Sequence, residues 1–416
     1  MSSRMAAVLA ILLVCERSAA QTTPAASTPE REDKHSGAPL GQFTAGPFIV
    51  TPTFRIGTLA VDTNVQYSRE RRADFVASAG PGLDIALPFR DHWQLAVQGT
   101  SQYFYFQRTE ELRRWTGGGS SSLDWATTGT RATLSAGLNR EFARPSFEVD
   151  TRIATTRLDV RGNLERDLGR LTLAMRSSFL RTEIDEGEEF RGADLAIALT
   201  TDQFVVSPEL RYRLTPLTAL LFETEYQQTR FPNAPIRDFE QGRVGAGFLL
   251  TGLLKGQVTA GVRRTQLLNG SDKRDQPYLR GNLTQKLGRR FTLREGYNQE
   301  SSVSAFAVDG RLPTYENKAV TLDLGIQLAS RIDLRLNGRR ESLKSDGLVQ
   351  VILDDGTLSS ARRDDVAYVA GADLGIRLGR ARLASFVTYT TRKSEFFRDF
   401  GIDGLLAGAR VEYSPR

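Results

Sequence analysis

The sequence predicts an all-β fold: a transmembrane up-and-down antiparallel β-barrel of about 18 strands (16–18), with short periplasmic turns and longer extracellular loops. Three observations lead to this prediction. The N-terminus has the pattern of a secretory signal, and apolar and polar residues then alternate with a period of two through long runs. The breaks between these runs are alternately short and long.

Residues 1–20 have the features of a signal peptide. Arg4 precedes an apolar stretch from Met5 to Val14, and Ser18-Ala19-Ala20 offers small residues for cleavage. The stretch is too short for a membrane-spanning helix, which needs about 20 residues, and the alternative is a buried N-terminal helix. Cleavage after Ala20 would remove Cys15, the one cysteine of the chain, and with it any disulfide or thiolate chemistry.

The rest of the chain divides into a short lead and one domain. Residues 21–45 are polar and rich in Pro, Ser, Thr and Ala, which predicts a flexible periplasmic lead. From residue 46 to residue 416 the pattern stays constant, so we expect a single transmembrane barrel there. No later segment approaches 18 consecutive apolar residues, and a secreted chain that spans a membrane would then do so with strands.

The predicted strands are recognised by their alternation. In residues 156–168 the apolar positions are Leu158, Val160, Gly162 and Leu164, and the positions between them are charged or polar. Residues 331–341 repeat the pattern, with isoleucine and leucine set against aspartate, arginine and asparagine. A period of two is that of a strand with one apolar and one polar face, whereas a helix would have no apolar stripe.

The breaks between the runs set the strand count. Short breaks fall near Arg90-Asp91, Thr128-Gly129, Gly169-Arg170, Thr215-Pro216, Leu254-Lys255, Gly288-Arg289, Ser330-Arg331 and Gly379-Arg380. Longer breaks fall near residues 68–72, 109–119, 144–149, 185–192, 232–238, 269–276, 302–313, 345–362 and 394–399. Nine long and eight short breaks predict about 18 strands, with both ends of the domain on the short-turn side.

A short motif recurs at three of the predicted turns. Residues 161–170 (RGNLERDLGR) resemble residues 280–289 (RGNLTQKLGR), and residues 371–380 are a looser copy. Each copy ends in Leu-Gly-Arg, where glycine supplies the positive φ of a tight hairpin. The repeat indicates either duplicated hairpins or a shared solution to one kind of turn.

Strand length favours a membrane barrel over a soluble sandwich. The runs are about 11–15 residues long, whereas strands of globular proteins are mostly about 5–6. Aromatic residues lie mainly near run ends, as in interfacial girdles, although ordinary sheet packing is the alternative. Examples on the apolar phase are Trp93, Tyr103, Tyr105, Tyr226, Phe248, Tyr297, Tyr389 and Tyr413.

Some residues conflict with simple strands. Pro52, Pro81 and Pro208 interrupt predicted strands, and we expect β-bulges there because proline cannot donate to a ladder. Arg181, Arg264 and Gln285 fall on the apolar phase. They could reach lipid headgroups from strand ends, whereas an arginine at mid-depth would cost about 2–4 kcal/mol.

The composition argues against several classes of function. The 55 basic and 49 acidic residues interleave along the chain, unlike the clustered charge of a nucleic-acid-binding protein. The two histidines are His35 in the lead and His92 at a short turn, so we expect no Ser-His enzyme, no metal site and no cofactor. The acidic segments 186–189 and 354–356 could bind calcium weakly, or they are solvated loop charge.

The domain resembles the β-barrel porin type 2 family of bacterial outer-membrane proteins. The resemblance rests on Thr51-Pro52, Ala60-Val-Asp-Thr-Asn64, Ala73-Asp-Phe75, Gly80-Pro-Gly82 and Arg211-Tyr-Arg-Leu-Thr-Pro-Leu-Thr218. It covers most of the chain from about residue 46. It implies an outer-membrane barrel, often associated with surface polysaccharide systems, and it assigns no catalytic residue.

The polar phase is expected to line the barrel lumen. Arg211 and Arg213 are predicted to lie beside Glu223 and Glu225 on the next strand. Other expected lining residues are Arg157, Arg161, Arg263, Arg280, Lys286, Arg335, Arg339 and Arg377, opposed by Asp159, Asp323, Asp333 and Asp373. A slight basic excess would favour anionic solutes; the alternative is that the charges pair and only solvate a sealed interior.

Two functions follow from this barrel. One is a porin-like channel for passive diffusion of small polar or anionic solutes. The other is a non-conducting structural or docking barrel in envelope or exopolysaccharide assembly or export. Residues 345–362, with the apolar stretch Leu348–Leu353, are the best candidate for a loop that constricts or plugs the lumen.

The expected location is the outer membrane of a Gram-negative cell. The expected partners are the lipid bilayer with lipopolysaccharide, the barrel-assembly machinery, and components of polysaccharide export; nucleic acid is not expected. The last strand, Leu405–Tyr413, ends in an aromatic residue that could mark it for insertion, although Ser414-Pro415-Arg416 follow it.

Overall fold

A computed structural model of the chain consists almost entirely of long antiparallel strands. It describes residues 38–39, 43–66, 71–89, 92–145, 148–149, 151–306, 311–345, 347–352, 357–379, 381–394 and 401–413. The long strands are β1 Phe48–Asp62, β2 Asp74–Phe89, β3 Trp93–Phe106, β4 Arg114–Thr127, β5 Thr130–Ala143, β6 Ile153–Leu168, β7 Leu171–Ile184, β8 Thr201–Thr215, β9 Thr218–Arg230, β10 Phe239–Thr251, β11 Leu254–Leu267, β12 Lys273–Leu287, β13 Phe291–Val303, β14 Thr314–Ala329, β15 Ile332–Ser345, β16 Asp364–Leu378, β17 Ala381–Ser394 and β18 Ile402–Tyr413. The predicted count of about 18 strands is confirmed.

Each long strand pairs with its sequence neighbours, and the sheet closes on itself. The closing ladder joins Leu406–Arg410 of β18 to Thr58–Asp62 of β1. The first half of β1 pairs instead with two short strands, Ala38–Pro39 and Phe43–Ala45. These two strands precede residue 46, where the barrel was predicted to begin. The predicted signal peptide, residues 1–20, lies outside the described residues.

The connections alternate as predicted. Eight connections of two or three residues lie at one end of the barrel, and nine longer ones lie at the other end. Strand β1 begins and β18 ends on the short-turn side. Four predicted breaks were misplaced: β4 already begins at Arg114 and β12 at Lys273, β11 begins at Leu254, and β8 begins only at Thr201. Between β7 and β8 lie a small hairpin, Glu189–Phe190 with Ala193–Asp194, and helix α1, Leu195–Leu199.

The Leu-Gly-Arg motif does end strands in tight turns. Gly169, Gly288 and Gly379 have φ values of 81°, 70° and 64°, which a residue with a Cβ atom rarely adopts. The motif therefore marks the end of β6, β12 and β16 at the short-turn side of the barrel.

The molecule has the inverted polarity that the alternation predicts. Large apolar side chains are exposed on the outer face, among them Val244 at 63%, Val262 at 60% and Leu134 at 56%. Charged side chains from the same strands are buried, for example Arg263 at 2% and Glu223 at 3%. A surface apolar over so many adjacent strands is stable only in lipid, since soluble monomers rarely expose contiguous patches above a few hundred Å².

Aromatic side chains lie at both edges of the outer apolar surface. Near the short turns Trp93 packs against Trp125 with ring centroids 6.0 Å apart. Near the long loops Tyr103 packs against Trp115 at 5.3 Å. Such pairs at the two ends of the strands are typical of interfacial girdles.

The polar residues on the outer phase lie toward strand ends, as expected. Arg264 forms a two-pronged pair with Asp275, at 2.6 and 2.7 Å, near the long-loop end of β11. Arg181 pairs with Glu183 near the same end of β7, and Gln285 lies near the short turn that follows β12. Their polar groups therefore lie beside the apolar surface and not at its centre.

The expectation of bulges at the prolines was wrong. Register is continuous through Pro52, Pro81 and Pro208. At Pro81 and Pro208, one of the two flanking ladders omits the proline and the residue before it, and then resumes in the same register. The register shifts instead between Ile56 and Leu59, Arg213 and Thr215, and Gln327 and Ala329. A strand can pass a missing donor by omitting one hydrogen bond, so proline does not require an extra residue.

No helix among the described residues is both long enough and apolar enough to cross a membrane.

A charge placed on the outer face at mid-depth should destabilise the barrel. Leu134 lies near the middle of β5 and faces outward. We expect Leu134→Arg to lower the free energy of unfolding by about 2–4 kcal/mol, measured by urea unfolding in lipid vesicles. Leu253→Arg, at an 85% exposed short-turn position, is the matched control and should cost about 0–1 kcal/mol. Equal costs at both positions would contradict a lipid-facing surface.

Candidate functional site

The charged phase of the strands lies on the concave face of the barrel. Tyr278 and Arg280 of β12 both contact the carboxylate of Glu223 on β9, at 3.2 and 3.0 Å. Two strands lie between β9 and β12, so the side chains bridge about 14 Å of wall. Side chains converge across three strand spacings only where the wall curves toward them. The charges therefore face the lumen.

One lumenal network runs along strands β6 to β12. Glu209 accepts hydrogen bonds from Arg211 and pairs with Arg176 at 3.1 Å. Arg211 also reaches Glu165 of β6 at 3.3 Å. Farther along the wall, Arg243 donates to Glu225 at 2.7 Å and Arg263 donates to the side-chain oxygen of Gln276 at 2.6 Å. The members are mostly buried, so mutual pairing offsets the cost of removing their charges from bulk water.

A second network lies near the short turns, on β15 to β18. Asp333 accepts from Arg382 at 2.6 Å and lies within 3.7 Å of both Arg335 and Arg377. Asp373 pairs with Arg382 and with Arg410, the latter at 2.7 Å. Two carboxylates here hold cations from four strands.

The predicted lining residues share the enclosed phase of their strands, and all except Lys286 and Asp323 contact a polar partner; that they line a channel stays a prediction. The remaining pairs are Arg157 with Glu141 at 2.9 Å, Arg161 with Asp159 at 3.0 Å, Arg213 with Asp167 at 3.9 Å and Arg339 with Glu341 at 2.9 Å. The lumen is thus largely a set of neutral pairs and not a ladder of free arginines.

The two strands β8 and β9 do pair, but the predicted contacts between the arginines of β8 and the glutamates of β9 were wrong. Arg211 and Arg213 lie opposite Leu221 and Ala219, while Glu223 lies opposite Glu209. Glu225 takes its cation from Arg243, which lies directly opposite it on β10. Glu223 takes its cation from Arg280 of β12, which the curvature of the wall brings within reach. The prediction missed Arg176, Glu209, Arg243, Arg382 and Arg410. All five share the polar phase of their strands, and that phase could have identified them.

Four of the long loops pack together over the mouth of the barrel. We call this cluster the outer lid; its buried apolar residues are Val149, Ile153, Ile184, Leu195, Ala196, Ala198, Leu199, Ala305, Phe306, Val349 and Ala361. Ile153 and Ile184 occupy the lumen-facing phase at the ends of β6 and β7. The outer lid therefore lies against the inside of the wall. The loops that form it have no regular apolar spacing in the sequence, so their packing could not be predicted from periodicity.

Ion pairs hold the outer lid to the wall. Arg363 donates to Asp365 at 2.7 Å and lies 3.6 Å from the carboxylate of Glu148. Asp365 also pairs with Arg392 of β17 at 2.5 Å. Glu148, in turn, accepts from the hydroxyl of Ser304 at 2.8 Å and the backbone N–H of Ala305 at 2.6 Å. All four charged side chains are at most 2% exposed. These contacts join three loops to two strands.

The loop predicted to constrict the lumen is part of this lid. Val349–Ile352 and Leu358–Ala361 form a two-stranded hairpin, and Val349 and Ala361 are each 4% exposed within the cluster. Arg237, from the loop before β10, adds a hydrogen bond to the carbonyl of Ser304 at 2.5 Å.

The acidic loop segment at residues 186–189 does not form a cation site. Within the described ranges, no group of three His, Cys, Asp or Glu side chains is arranged to hold a metal ion. The second acidic segment, residues 354–356, lies outside the described residues. In the first segment Glu188 is occupied in accepting the backbone N–H of Ala154 at 3.3 Å.

Comparison with known proteins finds one matching family model. Residues 36–273 match the family model described as "Putative beta-barrel porin 2". No curated protein matches the chain. Among solved structures, OccK2 (OpdF) of Pseudomonas aeruginosa is similar at 11% identity and a TM-score of 0.49, over 90% of this chain and 99% of that one.

Two further solved structures are similar in fold. A BenF-like porin from Pseudomonas fluorescens Pf-5 matches at 10% identity and a TM-score of 0.47, over 88% of this chain and 98% of that one. The siderophore receptor PirA of P. aeruginosa matches at 14% identity and a TM-score of 0.46, over 82% of this chain. This chain spans 65% of the length of that receptor.

Removing the central cation of the outer lid should loosen it. We expect Arg363→Ala to destabilise the lid by about 3–5 kcal/mol, because Glu148 and Asp365 stay buried without it. Limited proteolysis of the folded barrel should then cut within residues 346–363. Arg362→Ala, at the exposed neighbouring position, is the control and should leave cleavage unchanged. Equal resistance of both variants would show that Arg363 does not hold the lid.

Burial should also make the outer lid sensitive to pH. Burial raises the pKa of Glu148 above its usual value, and Arg363, which lowers it, does not compensate. Compared with the unfolded chain, the folded lid therefore favours the protonated form of the Glu148 carboxyl group. This contribution is full below the ordinary glutamate pKa of about 4.3 and is lost as pH rises through the raised value. Glu148→Gln should remove it, so the cleavage ratio of wild type to variant should rise from pH 5 to pH 8. A constant ratio would contradict the raised pKa.

Proposed function

Since the chain belongs to the beta-barrel porin 2 family, we propose that it is a porin-like channel through which small polar or anionic solutes diffuse passively. The observation that carries the proposal is the polarity of the closed barrel. An apolar outer surface requires lipid around it, and a charged concave face requires water or paired charge within it. A barrel of this strand number has room for a water-filled lumen unless something plugs it.

The bacterial outer membrane is the proposed location, because proteins of this family and fold are found there. The proposed surroundings are the bilayer with lipopolysaccharide on the long-loop side, reached through the barrel-assembly machinery. The family and the fold are those of channels rather than of enzymes. His92, the one histidine among the described residues, is exposed beside a short turn and lies far from the outer lid.

The solute is proposed from the balance of lumenal charge. Most lumenal cations are paired, so a solute would meet a polar wall with a modest basic excess and not a continuous positive ladder. Such a wall suits small hydrophilic molecules and accepts anions more readily than cations.

The outer lid favours a second function, a non-conducting barrel. A mouth covered by buried apolar residues and locked by ion pairs would block diffusion in the state described here. Such a barrel would serve as a structural or docking element in envelope or exopolysaccharide assembly or export.

Planar bilayer recordings separate the two functions. We expect purified, folded protein to give discrete conductance steps. Heat-modifiable mobility on a gel should confirm that the inserted protein is a folded barrel. Folded protein that gives no steps over a range of voltages would contradict the channel and favour the docking barrel.

The lid variant extends the same experiment. Because Arg363→Ala unlocks the outer lid, we expect it to raise the open probability or the step size relative to wild type, with Arg362→Ala as control. A conducting wild type whose steps are identical in both variants would show that the lid does not lie in the conduction path.

A further inference from the structure

The two ends of the barrel differ sharply in charge. The short turns and the three residues on either side of each carry eleven basic and two acidic side chains within the described part of the chain. The basic ones are Arg131, Arg166, Arg170, Arg213, Lys255, Lys286, Arg289, Arg290, Arg331, Arg377 and Arg382, and the acidic ones are Asp167 and Asp333. The Leu-Gly-Arg motif contributes Arg170 and Arg289 to this set.

The described residues of the long-loop end show no comparable basic excess. Cations there form ion pairs with carboxylates, as Arg71 does with Asp403 at 2.7 Å and Arg140 with Asp185 at 2.5 Å. The acidic run of residues 185–189 adds further negative charge there. The basic excess is therefore confined to one mouth of the barrel.

Many described cations at the short-turn end, together with Arg294 one residue beyond that margin, have no carboxylate at salt-bridge distance. Within the described residues, no carboxylate lies at salt-bridge distance from the following, and all are exposed: Arg131, Arg170, Lys255, Lys286, Arg289, Arg290, Arg294 and Arg331. We call these eight residues the cationic mouth. This set is distinct from the paired arginines deeper in the lumen.

Four members of the cationic mouth, Arg131, Lys255, Lys286 and Arg294, lie on the lumenal face of their strands. Lys255 shares its strand phase with the lumenal Arg263, and Lys286 shares its phase with Arg280. Lys255 and Arg294 lie directly opposite Thr284 from its two sides, so they flank it at about 10 Å from each other. The other four cations lie in the turns themselves, at the rim.

The acids near the cationic mouth do not neutralise it. Glu165 lies opposite Arg131 but is already bound to Arg211. Asp323 lies opposite Arg294 and offsets that one cation without reaching salt-bridge distance. Asp167 pairs with Arg213 at 3.9 Å, and Asp333 pairs with Arg382 in the second lumenal network.

Spacing allows these cations to act together. At physiological salt the screening length is about 8 Å, close to the distance between cations on alternate strands. Their potentials therefore overlap across the opening, and one sign of charge at a confined entrance raises the local concentration of counter-ions.

We propose that the cationic mouth is the anion-selecting element of the channel, a weak site at the short-turn entrance for small solutes that carry carboxylate or phosphate groups. The inference rests on the proposed channel function and assigns selectivity to unpaired rim charges, not to the paired lumenal arginines. A solute anion would replace the missing counter-charge without breaking an existing ion pair.

The test is the reversal potential of the channel in a potassium chloride gradient. We expect wild type to be anion-selective. The triple variant Arg131→Gln, Lys255→Gln, Lys286→Gln should lower the chloride-to-potassium permeability ratio by roughly a factor of two or more. The residues are exposed and unpaired, so folding should be unaffected, which heat-modifiable mobility verifies.

The matched control removes the same charge from the other end. Lys273, Lys344 and Lys393 are exposed on the outer face near the long loops, and their triple change to glutamine should leave the reversal potential unchanged. An equal shift in both triples would assign selectivity to total charge and overturn the inference, as would a cation-selective wild type. Absence of any steps from folded wild type would instead overturn the channel function itself.

Discussion

Complete pairing of the backbone within the chain is the constraint on which the rest of this structure depends. In lipid no water is present to satisfy an exposed N–H or C=O group, so a sheet can cross only if it has no free edge. Each long strand here is paired on both sides by its neighbours in sequence, and the last strand pairs with the first. Closure in turn fixes an even number of strands and places both ends of the barrel wall on the same side of the membrane.

Closure also sorts the side chains into two environments. One phase of every strand faces outward and must be apolar; the other is enclosed and carries the charge. Curvature then gives the enclosed charges partners that a flat sheet would not, as when Glu223 of β9 meets Arg280 of β12. Such pairs brace non-adjacent strands, and they leave little free charge in the middle of the lumen. Unpaired charge therefore accumulates where the wall ends, at the short turns.

Much of the fold could be predicted from the sequence because its determinants are local. A period of two identifies each strand and its lipid-facing side, and Gly169, Gly288 and Gly379 mark tight turns through their own backbone preference. The expected bulges at Pro52, Pro81 and Pro208 were wrong, because a strand tolerates one missing hydrogen bond better than local rules suggest.

The site was less predictable because its determinants are not local. Phase alone placed the lining residues on the enclosed face, but which cation meets which acid depends on strand register and, for pairs such as Glu223 with Arg280, on barrel curvature. The outer lid is built from residues such as Val149, Phe306 and Ala361, which come from three separate loops with no periodicity. Its central ion pair, Arg363 with Glu148, joins residues 215 positions apart in the chain.

The seam between β18 and β1 is shorter than any other interstrand ladder in the wall. It has five rungs, whereas the neighbouring ladders between β17 and β18 and between β1 and β2 each have twelve. The fewest backbone hydrogen bonds must therefore break for the wall to part along this line. The two strands of this ladder come from opposite ends of the barrel sequence. Lateral tension in the membrane would accordingly separate the wall first between β18 and β1.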